Sequence, residues 1–145
     1  MFNGIIFNKG KVYKINKRKN GINLFLKSSI KLSKKDLGIS ISCDGVCLTL
    51  ISFKKNIIEF YLSSETIKKS RFKNIKKGED INLELPVQYG QKISGHICQG
   101  HVDTVAKVIK IKSLDKTNVI ELRLDKKFIK NLVQKASILI NGVSL

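Results

Sequence analysis

The stretch Cys43-Asp44-Gly45-Val46-Cys47-Leu48-Thr49-Leu50 decides the fold, because residues 141–145 repeat its pattern as Asn-Gly-Val-Ser-Leu. Asp-Gly and Asn-Gly between apolar, β-prone residues are the strongest short-range signals for a β-hairpin, since both residues of a type I′ turn need a positive φ. Each copy places a small nucleophilic or hydrogen-bonding side chain two positions after its glycine, Cys47 in the first and Ser144 in the second. The sequence therefore predicts two equivalent hairpins.

Composition limits the class of protein. The chain has 145 residues, of which 42% are hydrophobic, enough for one ordinary domain or two small ones. No window approaches the ~18 apolar residues of a membrane span, and the N-terminus has no basic residues before a long apolar run. Three cysteines without a framework spacing are typical of reduced thiols. These features predict a soluble, cytoplasmic protein without a membrane partner.

The net charge of +17 raises the question of nucleic-acid binding. Only three of the 28 basic residues are arginine, the residue that base-reading surfaces favour for its bidentate geometry. The lysines are scattered, mostly at turns and strand edges. A general compositional preference for lysine and a basic nucleic-acid-binding barrel both remain open. We expect weak, salt-dependent polyanion binding but no specific nucleic-acid partner.

Turn signals and alternating apolar residues predict six short strands in about the first 85 residues, at the spacing of a β-barrel. Pro86 to Lys92 holds the only proline and indicates a boundary. We therefore predict a first domain over residues 1–88 and a second over residues 93–145. The second set is predicted to contain a strand pair or one bent strand over 93–111, strands over 119–124 and 136–140, and a short amphipathic helix over 125–133.

The two sets match at a nearly constant offset of 96 to 98 residues. Gly4 and Val12 correspond to Gly100 and Val108 in this register. The first set continues from Thr49 to about Leu85, and the second has no counterpart of that stretch. A barrel cannot close without those strands, so we expect an incomplete second barrel.

The ordered motifs resemble the riboflavin synthase α-chain family. They are Met1-Phe2-Asn3-Gly4-Ile5-Ile6, Asp44 to Thr49, Ser64-Glu65-Thr66, Gly78 to Glu84, Ser94-Gly95-His96, Gly100-His101-Val102-Asp103 and Asn141 to Leu145. The resemblance implies an all-β fold of tandem six-stranded Greek-key β-barrels, the first complete and the second incomplete. It also implies a dismutation in which one 6,7-dimethyl-8-ribityllumazine gives a four-carbon unit to another. The products are riboflavin and 5-amino-6-ribitylamino-uracil, and no metal or redox cofactor is needed.

The resemblance also implies site residues, and their chemistry is suitable. His101 can move protons near neutral pH, Cys47 can act as nucleophile or donor, and Ser144 can polarise or donate. The substrate-binding positions implied by the family are Gly4, Ile5, Ile6, Cys47, Leu48, Thr49, Leu62, Ser63, Ser64, Glu65, Thr66, Gly100, His101, Val102, Lys135, Val143, Ser144 and Leu145.

The family further implies a homotrimer, with each site between the first barrel of one subunit and the second barrel of a neighbour, and a lumazine synthase shell as a further partner. Three interpretations of this chain stay open: a gene fragment, a truncated record, or one piece of a split protein. We expect the 145-residue chain alone to be weakly active or inactive. The alternative function is a lumazine- or flavin-binding barrel without turnover.

Plainer interpretations exist for the same residues. A lone cysteine such as Cys47 on a buried strand is more often a small core residue, and Lys135 alone suggests a solvated charge. The two histidines, His96 and His101, are typical of barrel ends. Together with Cys43, Cys47 and Cys98 they match no standard zinc spacing, so no metal site is predicted.

Overall fold

The structure is a computed structural model that describes all 145 residues. The chain separates into two compact units, Met1–Val102 together with Ser137–Leu145, and Asp103–Ala136. The division into domains over residues 1–88 and 93–145 stays a prediction. None of the helices has the length and apolar character required to cross a membrane.

Six antiparallel strands close into a barrel within the first unit, in the order β1-β2-β5-β4-β3-β6 with β6 pairing back to β1. The predicted all-β Greek-key fold with a complete first barrel is confirmed. The strands are β1 (Asn8–Arg18), β2 (Gly21–Ser28), β3 (Ser40–Cys43), β4 (Val46–Lys54), β5 (Ile57–Ser63) and β6 (Asp80–Glu84).

The barrel core follows from alternation along each strand, since successive side chains point to opposite faces. Leu24 and Leu26 on β2 are fully buried, as are Phe60 and Leu62 on the paired strand β5. A closed barrel has no free edges, so every strand finds a hydrogen-bonding neighbour on both sides.

Two short capped helices pack against the barrel core. The Ser63 hydroxyl accepts the Thr66 backbone N–H and caps helix α1 (Ser64–Lys69). The Ser70 hydroxyl caps the following 3₁₀ helix, Arg71–Asn74, which buries Phe72 against the core. Serine is favoured at these capping positions because its hydroxyl accepts a hydrogen bond from a backbone N–H that has no partner within the helix.

The second repeat forms two separate hairpins. Strands β7 (Lys107–Leu114) and β8 (Thr117–Arg123) pair within Asp103–Ala136, and β9 (Leu139–Ile140) pairs with β10 (Val143–Ser144) in the other unit. A 3₁₀ helix over Lys126–Asn131, capped by Asp125, stands where an amphipathic helix was predicted.

The internal repeat extends to backbone irregularities. The β1–β2 pairing slips between Val12 and Lys14, and the β7–β8 pairing slips between Val108 and Lys110, the corresponding positions. The prediction of a strand pair or one bent strand over residues 93–111 is wrong for its first half. Before β7 this segment forms a single isolated β-bridge, between Cys98 and Phe2. Its partner is therefore the N-terminal segment of the chain and not a neighbouring strand.

The two hairpin turns meet face to face. Gly45 and Gly142 have φ of +82° and +79°, and the residues before them, Asp44 and Asn141, each have φ of +48°. A Cβ added to Gly45 would lie 2.9 Å from the Gly142 nitrogen, and one added to Gly142 would lie 2.7 Å from the Gly45 nitrogen. The type I′ turns were predicted locally, and their contact adds a second requirement for glycine.

Replacing Gly45 by alanine should therefore cost about 2–4 kcal/mol of unfolding free energy, from the left-handed backbone and the collision with Gly142. Gly38 is a matched control, since its φ is +86° but nothing lies within 4 Å of an added Cβ. Gly38→Ala should cost only about 1 kcal/mol. Urea unfolding measures both, and equal losses for the two variants would show that the turn-to-turn contact carries no energy.

Candidate functional site

Two reciprocal backbone contacts join each repeat's hairpin to the other repeat's leading glycine. The Cys47 N–H donates to the Gly100 carbonyl at 2.8 Å, and the Ser144 N–H donates to the Gly4 carbonyl at 2.8 Å. The structure thus brings four of the predicted site residues together as two equivalent pairs. All four belong to the unit formed by Met1–Val102 and Ser137–Leu145.

Glycine is required on one side of each pair. Gly4 and Gly100 have φ of +74° and +80°. A Cβ on Gly4 would lie 2.7 Å from the Ser144 Cβ, and a Cβ on Gly100 would lie 2.7 Å from the Cys47 Cβ. The absence of a side chain lets the backbone of each glycine approach Ser144 or Cys47 closely.

The Ser144 hydroxyl is held by a histidine. Its Oγ forms a hydrogen bond with Nδ1 of His96, on the segment that runs beside the N-terminus. A Cβ on the neighbouring Gly95 would lie 2.0 Å from the Asn3 carbonyl oxygen, so only glycine allows this approach. An imidazole nitrogen can either accept or donate this hydrogen bond, depending on its tautomer.

The three cysteines differ in accessibility. Cys43 is completely buried, and burial, followed by the charge of Asp44, raises the pKa of its thiol well above the usual value. Burial, followed by the charge of Glu84, also raises the pKa of Cys98. Cys47 is half-buried and follows the hairpin turn. Since the thiolate is the reactive form, Cys43 is a structural thiol.

The carboxylate of Asp44 fixes the first hairpin. It accepts the Asn82 N–H at 2.8 Å and forms an ion pair with Arg71, which also binds Glu79. Burial raises the pKa of Asp44, while the Asn82 N–H and the Arg71 charge act in the opposite direction. Breaking this pair would leave a buried, unpaired charge, so the turn before Cys47 is strongly constrained.

Several predicted binding residues do not present a free side chain. Leu48 and Leu62 point into the barrel core, with exposures of 4% and 0%, so only their backbone is available to a ligand. The hydroxyls of Ser63 and Thr66 lie 3.0 Å apart and are hydrogen-bonded to each other. The remaining residues of this stretch, Ser64 and Glu65, are exposed, and Glu65 pairs with Lys69 on the helix surface.

The remaining predicted site residues differ in exposure and do not all belong to the same unit. Thr49 is exposed on β4, Val102 packs against the core, and His101 is exposed with its imidazole in no hydrogen bond. Lys135 is exposed and lies in the Asp103–Ala136 unit. Half-buried positions are Ile5, Ile6 and Val143, while Leu145 is exposed and pairs through its backbone with Ile138.

Three residues of this region carry no role in the sequence interpretation: Asn3, Glu84 and His96. Glu84 is a glutamate buried to 7% exposure at the end of β6, and both of its carboxylate oxygens accept backbone N–H groups of the N-terminal segment. Strand alternation gives no signal of this burial, because Glu84 shares the face of β6 that carries Asp80 and Asn82 rather than the core face of Ile81 and Leu83.

A closed Greek-key barrel followed by a repeat of its own elements defines a duplicated β-barrel protein. The family model described as the lumazine binding domain matches residues 3–86 and 99–145. The chain is 34% identical over its full length to riboflavin synthase of Bacillus subtilis, of which it covers 67%. It is also 34% identical to riboflavin synthase of Buchnera aphidicola subsp. Baizongia pistaciae, covering 69% of that protein.

The crystal structure of LumP complexed with riboflavin superimposes with a TM-score of 0.84 at 24% identity, covering 99% of this chain and 78% of that one. This likeness shows the fold. The chain belongs to the riboflavin synthase family of lumazine-binding-domain proteins, as the sequence resemblance predicted, and spans about two thirds of the length of these relatives.

Thiol labelling should distinguish the buried Cys43 from the half-buried Cys47 by their rates of modification. At pH 8 we expect iodoacetamide to modify Cys47 in the native chain, and to modify Cys43 more than about tenfold more slowly, because Cys43 must first become exposed and then ionise. Peptide mass spectrometry over time measures the rates, with the urea-unfolded chain as the control in which all three react alike. Equal native rates for Cys43 and Cys47 would contradict the assignment of Cys43 as structural.

Proposed function

We propose that the chain binds 6,7-dimethyl-8-ribityllumazine and contributes to a riboflavin synthase reaction. Two lumazine molecules would dismutate, one giving a four-carbon unit to the other, to yield riboflavin and 5-amino-6-ribitylamino-uracil. The observation that supports this most is the reciprocal pairing of Cys47 with Gly100 and of Ser144 with Gly4. It places the two candidate reactive side chains in equivalent settings, in a chain that belongs to this family.

The proposed roles follow from what each group can do. Cys47 would add as a thiolate to an electron-poor ring carbon, or as a thiol would donate its proton to an electron-rich ring atom, and Ser144 with His96 would donate or take a proton. Backbone groups of Gly4, Ile5 and Ile6 would line the ring. Hydroxyls such as Thr49 are suited to a ribityl chain. Holding two substrates in a fixed orientation would supply much of the rate, since it removes the entropy cost of their encounter.

A neighbouring chain belongs to the same proposal. The exposed imidazole of His101 has no hydrogen-bond partner within this chain. A trimer in which the first barrel of one subunit faces the second barrel of another would give it one. Val143, Leu145 and Lys135 would complete the lining of the second half. Association with a lumazine synthase shell would follow from the same substrate relationship.

A second candidate is a lumazine- or flavin-holding protein without turnover. It is favoured by His101, which forms no hydrogen bond with either Cys47 or Ser144 and so completes no proton relay in the single chain. The LumP structures, solved with riboflavin and with 6,7-dimethyl-8-(1′-D-ribityl) lumazine, are consistent with such a role for this fold.

Fluorescence polarisation of the lumazine tests binding, and chromatographic detection of riboflavin tests turnover. We expect the chain to raise the polarisation, and Ser144→Ala to weaken binding by about 2–10-fold through loss of one hydrogen bond. Ser113→Ala is the control, since Ser113 also has a hydrogen-bonded hydroxyl but lies on β7.

Binding without riboflavin, both by this chain and by a chain extended with a counterpart of residues 49–85, would favour the second candidate. No polarisation change at millimolar protein would contradict both.

A further inference from the structure

The buried carboxylate of Glu84, at the end of β6, holds the N-terminal segment by two hydrogen bonds. Oε1 of Glu84 accepts the Asn3 N–H at 2.6 Å, and Oε2 accepts the Gly4 N–H at 3.0 Å. Hydrogen bonds to an ionised acceptor are roughly twice as strong as neutral ones. Two such bonds to adjacent residues fix both the position and the direction of a short stretch of backbone.

Two hydrogen-bonded routes run from this carboxylate to Ser144. In the first, the Gly4 residue that donates to Glu84 also offers its carbonyl to the Ser144 N–H at 2.8 Å. In the second, the Asn3 carbonyl accepts the His96 N–H at 3.0 Å, and Nδ1 of His96 binds the Ser144 hydroxyl. One route holds the Ser144 backbone and the other holds its side chain.

The second route passes through a single peptide group. The Asn3 carbonyl and the Gly4 N–H belong to the same amide, so Glu84 on one side polarises the carbonyl that binds His96 on the other. Hydrogen bonds in such a chain strengthen one another, more so in a poorly hydrated setting. Asn3 and Glu84 are 6% and 7% exposed, so water competes little for these groups.

We propose that Glu84 is the positioning residue for Ser144, setting the place of its backbone through Gly4 and the orientation of its hydroxyl through Asn3 and His96. The proposal rests on the proposed function only in that Ser144 is taken to face the lumazine. Glu84 does not touch the substrate and acts through the N-terminal segment alone.

A carboxylate at this length is required by the geometry. Glutamine has the same shape, but its amide presents one oxygen, so one of the two N–H groups of Asn3 and Gly4 would be left facing an NH₂ donor. A buried donor without an acceptor is costly. Aspartate keeps both oxygens and the charge but withdraws them by one methylene.

Amide hydrogen exchange in the full chain tests the proposal directly. In Glu84→Gln we expect the Ser144 amide to exchange about tenfold faster than in the wild type, because its acceptor Gly4 is no longer fixed. The Phe60 amide, in the barrel, should change far less. A merely structural role would accelerate both amides by the same factor, and that result would overturn the proposal.

Glu59→Gln is the matched control. Glu59 is half-buried, and each of its oxygens accepts one hydrogen bond, from the Asn23 amide and the Ser52 hydroxyl, both at 2.6 Å. This variant should leave the Ser144 amide and the lumazine affinity as in the wild type. Glu84→Gln should weaken lumazine binding by about tenfold, and Glu84→Asp should recover part of the loss.

The two proposals fail in different ways. If the wild-type chain does not bind the lumazine, the proposed function fails, while the exchange result still decides the role of Glu84. If Glu84→Gln does not fold, the wild type is measured by NMR for through-hydrogen-bond couplings from the Asn3 and Gly4 nitrogens to the Glu84 carboxyl carbon. We expect both couplings, and the absence of both would overturn the proposal.

Discussion

The contact of each hairpin with the opposite leading glycine is the constraint on which the rest of the site depends. A backbone N–H after the turn reaches the glycine carbonyl only because glycine has no Cβ and tolerates a positive φ. The same approach carries Cys47 and Ser144 to their places. The barrel fixes the position of the first hairpin. The two hydrogen bonds to Glu84 fix the position of the N-terminal segment.

Features governed by neighbouring residues could be predicted from the sequence. The turns at Asp44-Gly45 and Asn141-Gly142 follow from the need for positive φ at two adjacent positions. The six strands follow from alternation between apolar and polar residues. The repeat itself was visible because its offset is nearly constant, and even the bulge after Val12 recurs after Val108.

Features that depend on partners distant in the sequence could not be predicted in this way. The apolar pattern over residues 93–111 indicates a strand, but its first half forms a single β-bridge, with Phe2, which lies far away in the chain. Glu84 looks like the polar end of a strand until its partners Asn3 and Gly4 are known, about 80 residues earlier. The family resemblance named Leu48 and Leu62 as site residues without showing that their side chains face the core.

Duplication normally frees one copy of a gene segment to drift while the other keeps the original task. Here the contact between Gly45 and Gly142 removes that freedom, because each turn packs directly against the backbone of the other. A side chain acquired by either one would be felt by both. The two repeats therefore cannot change independently at these two glycines, whatever substitutions the residues around them accept.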